Sequence, residues 1–224
     1  MPPRSGKLFK AQSLEDAETV YSKLDGFSVS EKFDDGYHNF NLITNIEELQ
    51  LHKDGVDGLF RYDYVMTTTH RNGVSCTLIT QDCPFRILWG IGVAWILVLV
   101  KKVKANRVAV KLGEILNADV READIFSEDM NRYIQRNDKT KVVLFDNMDF
   151  PGVDKSTLYG QELVQTTLFK ELADHGLPKW IVTESEAHGY TVGIGGDVGV
   201  TIYNNVEVLD YINFVKDEIL PLVK

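Results

Sequence analysis

Apolar positions follow distinct rhythms along this chain, and each change of rhythm marks an element. Residues 87–100 are almost unbroken hydrophobics: Ile-Leu-Trp-Gly-Ile-Gly-Val-Ala-Trp-Ile-Leu-Val-Leu-Val. The run falls short of the roughly 18 residues a membrane-spanning helix needs. Gly90 and Gly92 interrupt it, and residues 94–100 are rich in β-branched and aromatic types, so they read as a strand buried on both faces. The rhythm then turns helical. Across 102–117, Ala105, Val108, Ala109, Leu112, Ile115 and Leu116 recur at i, i+3, i+4 and i+7, the stripe of an amphipathic helix.

Upstream, Ser13 opens a helix. Its hydroxyl can cap the first turn, Glu15, Asp16 and Glu18 suit the positive end, and Gly26 ends it. Asp34, Asp35 and Gly36 mark a turn between strands at 27–33 and 37–43. A further strand at 48–53 closes on the Asp- and Gly-rich residues 54–58. Asn72-Gly73 separates 60–70 from 74–80 and supplies the positive φ angles of a type I′ hairpin turn. Residues 85–89 continue the sheet.

Downstream come a short strand at 120–125, a helix capped by Ser127, a buried-type strand at 141–145 and a loop at 147–156 around Pro151 and Gly152. A helix then runs from residue 158 or 161 to His175, stopped by Gly176 and Pro178. Residues 180–183, 190–194 and 198–203 form a three-strand meander that turns at 195–197. Asn205 caps a final helix with Val208, Tyr211, Ile212, Val215 and Ile219 on one face, and Pro221 limits it.

Hairpins alternating with helices give an α+β fold, with mixed, largely antiparallel sheets and amphipathic helices. Residues 7–35 and 120–147 share the order strand, helix, strand, ending in Phe33-Asp34-Asp35 and Phe145-Asp146-Asn147. Each then runs through antiparallel strands into a helix. The chain divides into an N-terminal half, 1–118, and a C-terminal half, 119–224, either as two pseudo-repeated halves or as one continuous domain. The repeated order is similar to that of the TATA-box-binding-protein repeat. The similarity is one of topology, without a motif, and assigns neither function nor residues.

Composition narrows the function classes. The 224 residues allow a sizeable core, and a net charge of -9 argues against a uniformly cationic nucleic-acid surface. Only a local basic patch could engage phosphates. Cys76 and Cys83 are too few for a disulfide framework or a zinc motif and fit a reducing, cytoplasmic setting. The first seven residues carry charge but no apolar stretch, so no signal peptide and no membrane association are expected.

Two residue groups carry candidate chemistry. Lys104, Arg107 and Lys111 lie at i, i+3, i+7 on one flank of the 102–117 helix, with Lys101 and Lys102 at its entrance. This stripe could meet phosphates or an acidic partner, with Glu114 partly neutralising it. Asp146, Asp149 and Asp154 follow a buried strand, where carboxylates can hold Mg²⁺, and two such metals would suit phosphodiester hydrolysis. The same residue types also serve turns, and no Asp/Glu-x-Lys tripeptide completes the common nuclease constellation. Gly193, Gly195, Gly196 and Gly199 read as a hairpin turn, because no Gly-Lys-Ser/Thr follows and strands flank them. The five histidines, His38, His52, His70, His175 and His188, form no His-Glu-x-x-His, and no Gly-x-Ser-x-Gly elbow occurs. Tyr37, Tyr62 and Tyr64 serve either a binding face or cross-strand packing.

The expectation is a non-catalytic binding or regulatory protein, without a cofactor, that contacts another protein, a nucleic-acid complex or a second copy of itself. The alternatives are a metal-dependent phosphodiesterase or hydrolase using Asp146 and Asp149, and a structural subunit of an assembly.

Overall fold

Strand β1 (Arg4–Gln12) threads through both parts of the molecule. The computed structural model describes residues 3–71, 73–90 and 92–223. The chain packs as two units, Phe9–Arg121 and Met1–Leu8 with Glu122–Lys224. Both are α+β with antiparallel strand pairing. The first eight residues thus group with the C-terminal part.

In the unit of Phe9–Arg121, helix α1 (Ala17–Leu24) follows β1. Its cap is Asp16, whose carboxylate accepts the Thr19 N–H at 2.9 Å. Ser13 sits one turn too early, with φ at 60°. Strands β2 (Ser28–Asp34), β3 (Asn39–His52), β4 (Gly55–His70), β5 (Gly73–Trp89) and β6 (Ala94–Val98) form a meander, each pairing with the next. β6 lies beside β1, and β7 (Asp119–Glu122) also returns to β1. Two of the expected strands, 74–80 and 85–89, are one strand. β4 and β5 stay paired from Gly55↔Leu88 to His70↔Gly73, and this carries them through Pro84. The stretch 54–58 is not a loop either, because β4 starts at Gly55, where a Cβ would strike the Ile87 carbonyl. Of the two residues expected at the hairpin tip, Gly73 already pairs with His70, and Asn72 lies outside the described residues.

Helix α2 (Lys102–Leu116) has the predicted boundaries and buries Ala105, Val108, Ala109, Leu112 and Leu116. These pack with Phe60, Tyr62, Phe85 and Ile87 of the sheet and with Val20 and Leu24 of α1. Asn117 ends α2 in the left-handed region (φ 53°), and the Ala118 N–H then reaches the Gly113 carbonyl at 2.9 Å.

In the other unit, Arg4–Lys7 of β1 pair with β12 (Gly199–Ile202). The strand order continues through β11 (Thr191–Gly195), β10 (Leu177–Glu184), β8 (Val142–Phe150) and β9 (Val153–Tyr159). Helices α3 (Ser127–Arg136) and α4 (Thr167–His175) pack on β10 and β8, and α5 (Val208–Phe214) runs on through a π turn and a 3₁₀ turn. Residues 147–156 are not a loop. β8 and β9 form a hairpin that turns at Pro151 and Gly152, with a bulge at Asn147 (φ 53°). The helix expected from 158 or 161 starts only at Thr167, capped by the Thr166 hydroxyl. Gly176 is extended (φ -153°) rather than left-handed, so the chain leaves α4 straight into β10. Ser127 lies inside α3, and Glu207, not Asn205, precedes α5.

This unit runs strand, helix, two strands, helix, three strands, helix. The other runs strand, helix, five strands, helix, with β7 after it. The expected pseudo-repeat therefore has no support, and the topological likeness to the TATA-box-binding-protein repeat lapses with it.

Candidate functional site

The stripe residues of α2 part ways. Arg107 lays its guanidinium over the Tyr62 ring, 4.8 Å from the centroid, and the Lys104 ammonium donates to the Gln81 amide oxygen. Tyr62 and Gln81 are direct cross-strand partners on β4 and β5. The long aliphatic stems of both cations thus lie on the sheet with their charged heads outward. Burial pushes the Tyr62 phenol up, and the Arg107 charge opposes it. Lys111 pairs with Glu114 at 2.8 Å, while Lys101 precedes the first turn and Lys102 opens it, both exposed.

Side chains alternate across a strand, so the face that carries Tyr62 and Gln81 continues outward as Tyr64↔Ile79 and then Met66↔Thr77. Thr44 pairs with Tyr62, which places Leu42 and Phe40 of β3 on this same face. Val29 and Phe33 of β2 follow through their partners Thr44 and Phe40. Phe33 and Phe40 pack with ring centroids 6.2 Å apart. Met66 and Val29 keep 46% and 43% exposure, and Phe33, Phe40, Leu42 and Ile79 are half-buried. An uncovered apolar strip therefore begins where the α2 cations end. The period-two pattern of these strands was legible in the sequence. Which part of the face the helices leave bare was not.

The opposite face combines ion pairs with exposed apolar side chains of its own, Ile43, Leu78 and Val74. Arg61 is held by Asp82 at 2.7 Å and by Glu47, which raises its pKa and lowers that of Asp82. Arg86, 6% exposed, sits between Asp54 (2.7 Å) and Asp57 (3.0 Å). At the far end of this face the β2–β3 turn reaches Cys76 of β5. One oxygen of Asp35 accepts the N–H groups of Tyr37 (2.9 Å) and His38 (2.7 Å). The other lies 3.2 Å from His38 Nδ1 and 3.6 Å from Cys76 Sγ. The two backbone N–H groups, then His38 and Cys76, hold the Asp35 carboxyl down at about 2.

The carboxylates singled out in the sequence have separate partners. Asp146 faces Lys155 at 3.5 Å across the β8–β9 hairpin, and Asp149 meets His175 Nδ1 at 2.6 Å. Asp154 is exposed at the start of β9. Cys83 is fully buried in the core, which pushes its thiol up to about 11 and leaves it protonated at neutral pH. Of the tyrosines, Tyr37 is 94% exposed at the β2–β3 turn, whereas Tyr62 and Tyr64 pack toward the core.

No known protein family matches this chain, and no curated protein matches it in sequence. Among the described residues, no helix is long and apolar enough to cross a membrane.

Proposed function

We propose that this protein acts by binding, as a regulatory or adaptor protein, and that the α2-side face of β2–β5 receives an acidic, amphipathic segment of a partner protein. The observation that carries the reading is the continuity of the Arg107–Tyr62 stack with a strip of exposed Met66 and half-buried Tyr64, Phe40 and Phe33. Aromatics, Met and Arg are the types enriched where proteins meet. Uncovered apolar area gains about 25 cal/mol per Å² when a partner removes it from water. The cations along α2 set the sign of the partner: its apolar side chains fill the strip and its carboxylates meet Lys101, Lys104 and Arg107. A nucleic acid matches the cations but leaves the apolar strip wet, so the protein partner fits better.

The test is an NMR titration of the labelled protein with three probes. They are a synthetic Leu/Glu amphipathic helix, its Leu/Lys counterpart and a short DNA duplex. The Leu/Glu peptide is expected to bind and to shift the resonances of Tyr64, Met66, Ile79 and Arg107. Met66→Glu and Arg107→Glu should each weaken it by roughly tenfold or more, as for residues at the centre of an interface. Equal binding of the Leu/Lys peptide, binding of DNA alone, or no effect of Met66→Glu would overturn the reading.

A further inference from the structure

We infer that Asp35, His38 and Cys76 form a three-ligand site for a divalent transition metal, Zn²⁺ above all, where the β2–β3 turn meets the face of β5 that lies behind the apolar strip. The inference is independent of the partner-binding reading.

The donor set comes first. One thiolate, one imidazole and one carboxylate make a borderline-soft set that suits Zn²⁺ or Co²⁺ and does not suit Mg²⁺ or Ca²⁺, which take oxygen. The spacing comes second. Zinc bonds of about 2.0 Å to N and O and about 2.3 Å to S, opened at the tetrahedral angle, put N and O about 3.3 Å apart and S and O about 3.5 Å apart. Here His38 Nδ1 and Asp35 Oδ2 are 3.2 Å apart, and Cys76 Sγ and Asp35 Oδ2 are 3.6 Å apart. All three donor atoms lie within 4.8 Å of one another, so small side-chain rotations of His38 and Cys76 would bring them onto one ion.

The surroundings also position the ligands. The Tyr37 and His38 N–H groups occupy Oδ1 of Asp35, which turns Oδ2 toward the other two donors. The Thr67 hydroxyl lies 3.7 Å from Cys76 Sγ on the neighbouring strand, within reach of a thiolate. His38 and Cys76 are only half-buried, which leaves an entry path.

Binding proceeds with a simple balance. Asp35 is already ionised. His38 takes the tautomer with its proton on Nε2 and offers the Nδ1 lone pair. Cys76 loses its thiol proton to solvent as the S–Zn bond forms, so about one proton is released per ion. Three protein ligands leave a fourth position for water or for a donor from a bound molecule, the pattern of an open zinc site rather than a closed structural one. The ion also ties the β2–β3 turn to β5, 41 residues further along the chain.

The experiment uses the full chain, freed of metal with chelator under reducing conditions, and titrates it with Co²⁺. Wild type is expected to take one equivalent, with a thiolate-to-cobalt charge-transfer band and the intense visible bands of four-coordinate Co²⁺. Zn²⁺ should displace it and protect Cys76 from iodoacetamide, read by mass spectrometry of the peptide. Cys76→Ser should abolish the charge-transfer band. His38→Ala and Asp35→Asn should each weaken binding by at least roughly tenfold, since even outer-shell partners of metal ligands are worth that much. Circular dichroism of the metal-free variants checks that the fold is intact, and wild-type-like spectra are expected. A missing charge-transfer band in wild type, a band that survives Cys76→Ser, or unchanged affinity in both His38→Ala and Asp35→Asn would overturn the site.

Discussion

Single residues here do work that their type alone does not announce. Lys7 is fully buried, with its ammonium 2.9 Å from Glu122 and 3.5 Å from Asp197. Truncating a buried cation strands its partners and leaves a void. Lys7→Ala should therefore lower unfolding stability by about 3 kcal/mol. Lys7→Met keeps the volume and should cost less, and adding Asp197→Asn should recover part of the loss. Chemical denaturation of the three variants checks the order. Asp35 gives a pH signature. Its carboxyl is held down at about 2, below the usual carboxylate range, so the fold favours the ionised form. The stabilisation is present above pH 4 and fades as the pH falls toward 2. A carboxyl NMR titration should place Asp35 near 2, with the Tyr37 and His38 amide signals moving in step. A midpoint near 4 would contradict the geometry of that turn. The grouping of Asp35 and His38 with Cys76 was not legible in the sequence. The turn at 34–36 was, but nothing local says which distant residue lies over it.

Elements were legible where one physical rule dominated. α2 has an unbroken 3.6-residue stripe and an Asn just past its end, and its limits followed. The strand expected at 141–145 is the first half of β8, but its extension to Phe150 and β9 were missed because Asp146, Asn147, Pro151 and Gly152 all suit a loop, while pairing with β9 carries β8 past Asp146. The Ser13 cap failed because Asp16 offers a better-placed carboxylate one turn on. Two element-level outcomes follow from these geometries. Gly73 has φ of 131°, a region closed to β-branched residues. Gly73→Val should lower unfolding stability by about 1 kcal/mol or more, read as a lower denaturation midpoint with an unchanged slope. Asn137 closes α3 and is buried. Its Nδ2 donates to the Tyr133 carbonyl at 2.7 Å, and its Oδ1 accepts the Glu186 N–H at 3.1 Å. Asn137→Ala leaves both groups without that partner and should cost about 1–3 kcal/mol. Thermal melting of the variant beside wild type reads it.

At the scale of the whole molecule, each unit has its own core, yet their shares of the chain are unequal in kind. Phe9–Arg121 is one continuous stretch. The other unit takes Met1–Leu8 and Glu122–Lys224, so its β1 segment comes from far away in sequence. Removing residues 1–8 should expose the edge of β12 and delete the Lys7 ion pairs. The truncated protein is expected to lose stability mainly in Glu122–Lys224, with amide exchange rising along β12. A synthetic peptide of residues 1–8 added in excess should restore protection there. Unchanged exchange at Val200 and Ile202 after truncation would speak against this division. The sequence suggested two halves, but it could not show that the first strand leaves its own half, because Leu8 and Phe9, flanked by Lys7 and Lys10, do not say which strands will pair with β1.

That pairing has a consequence for biosynthesis. Ser5 and Thr201 face each other through their hydroxyls across 196 residues. At roughly 5–20 residues per second, the first strand waits on the order of 10–40 s for its partner to be made. Phe9–Arg121 can assemble on the ribosome in that interval. The other sheet is completed only when nearly all the chain has emerged, so the opening residues are an exposed, adhesive strand during most of translation, and a chaperone that holds extended segments would find its target there.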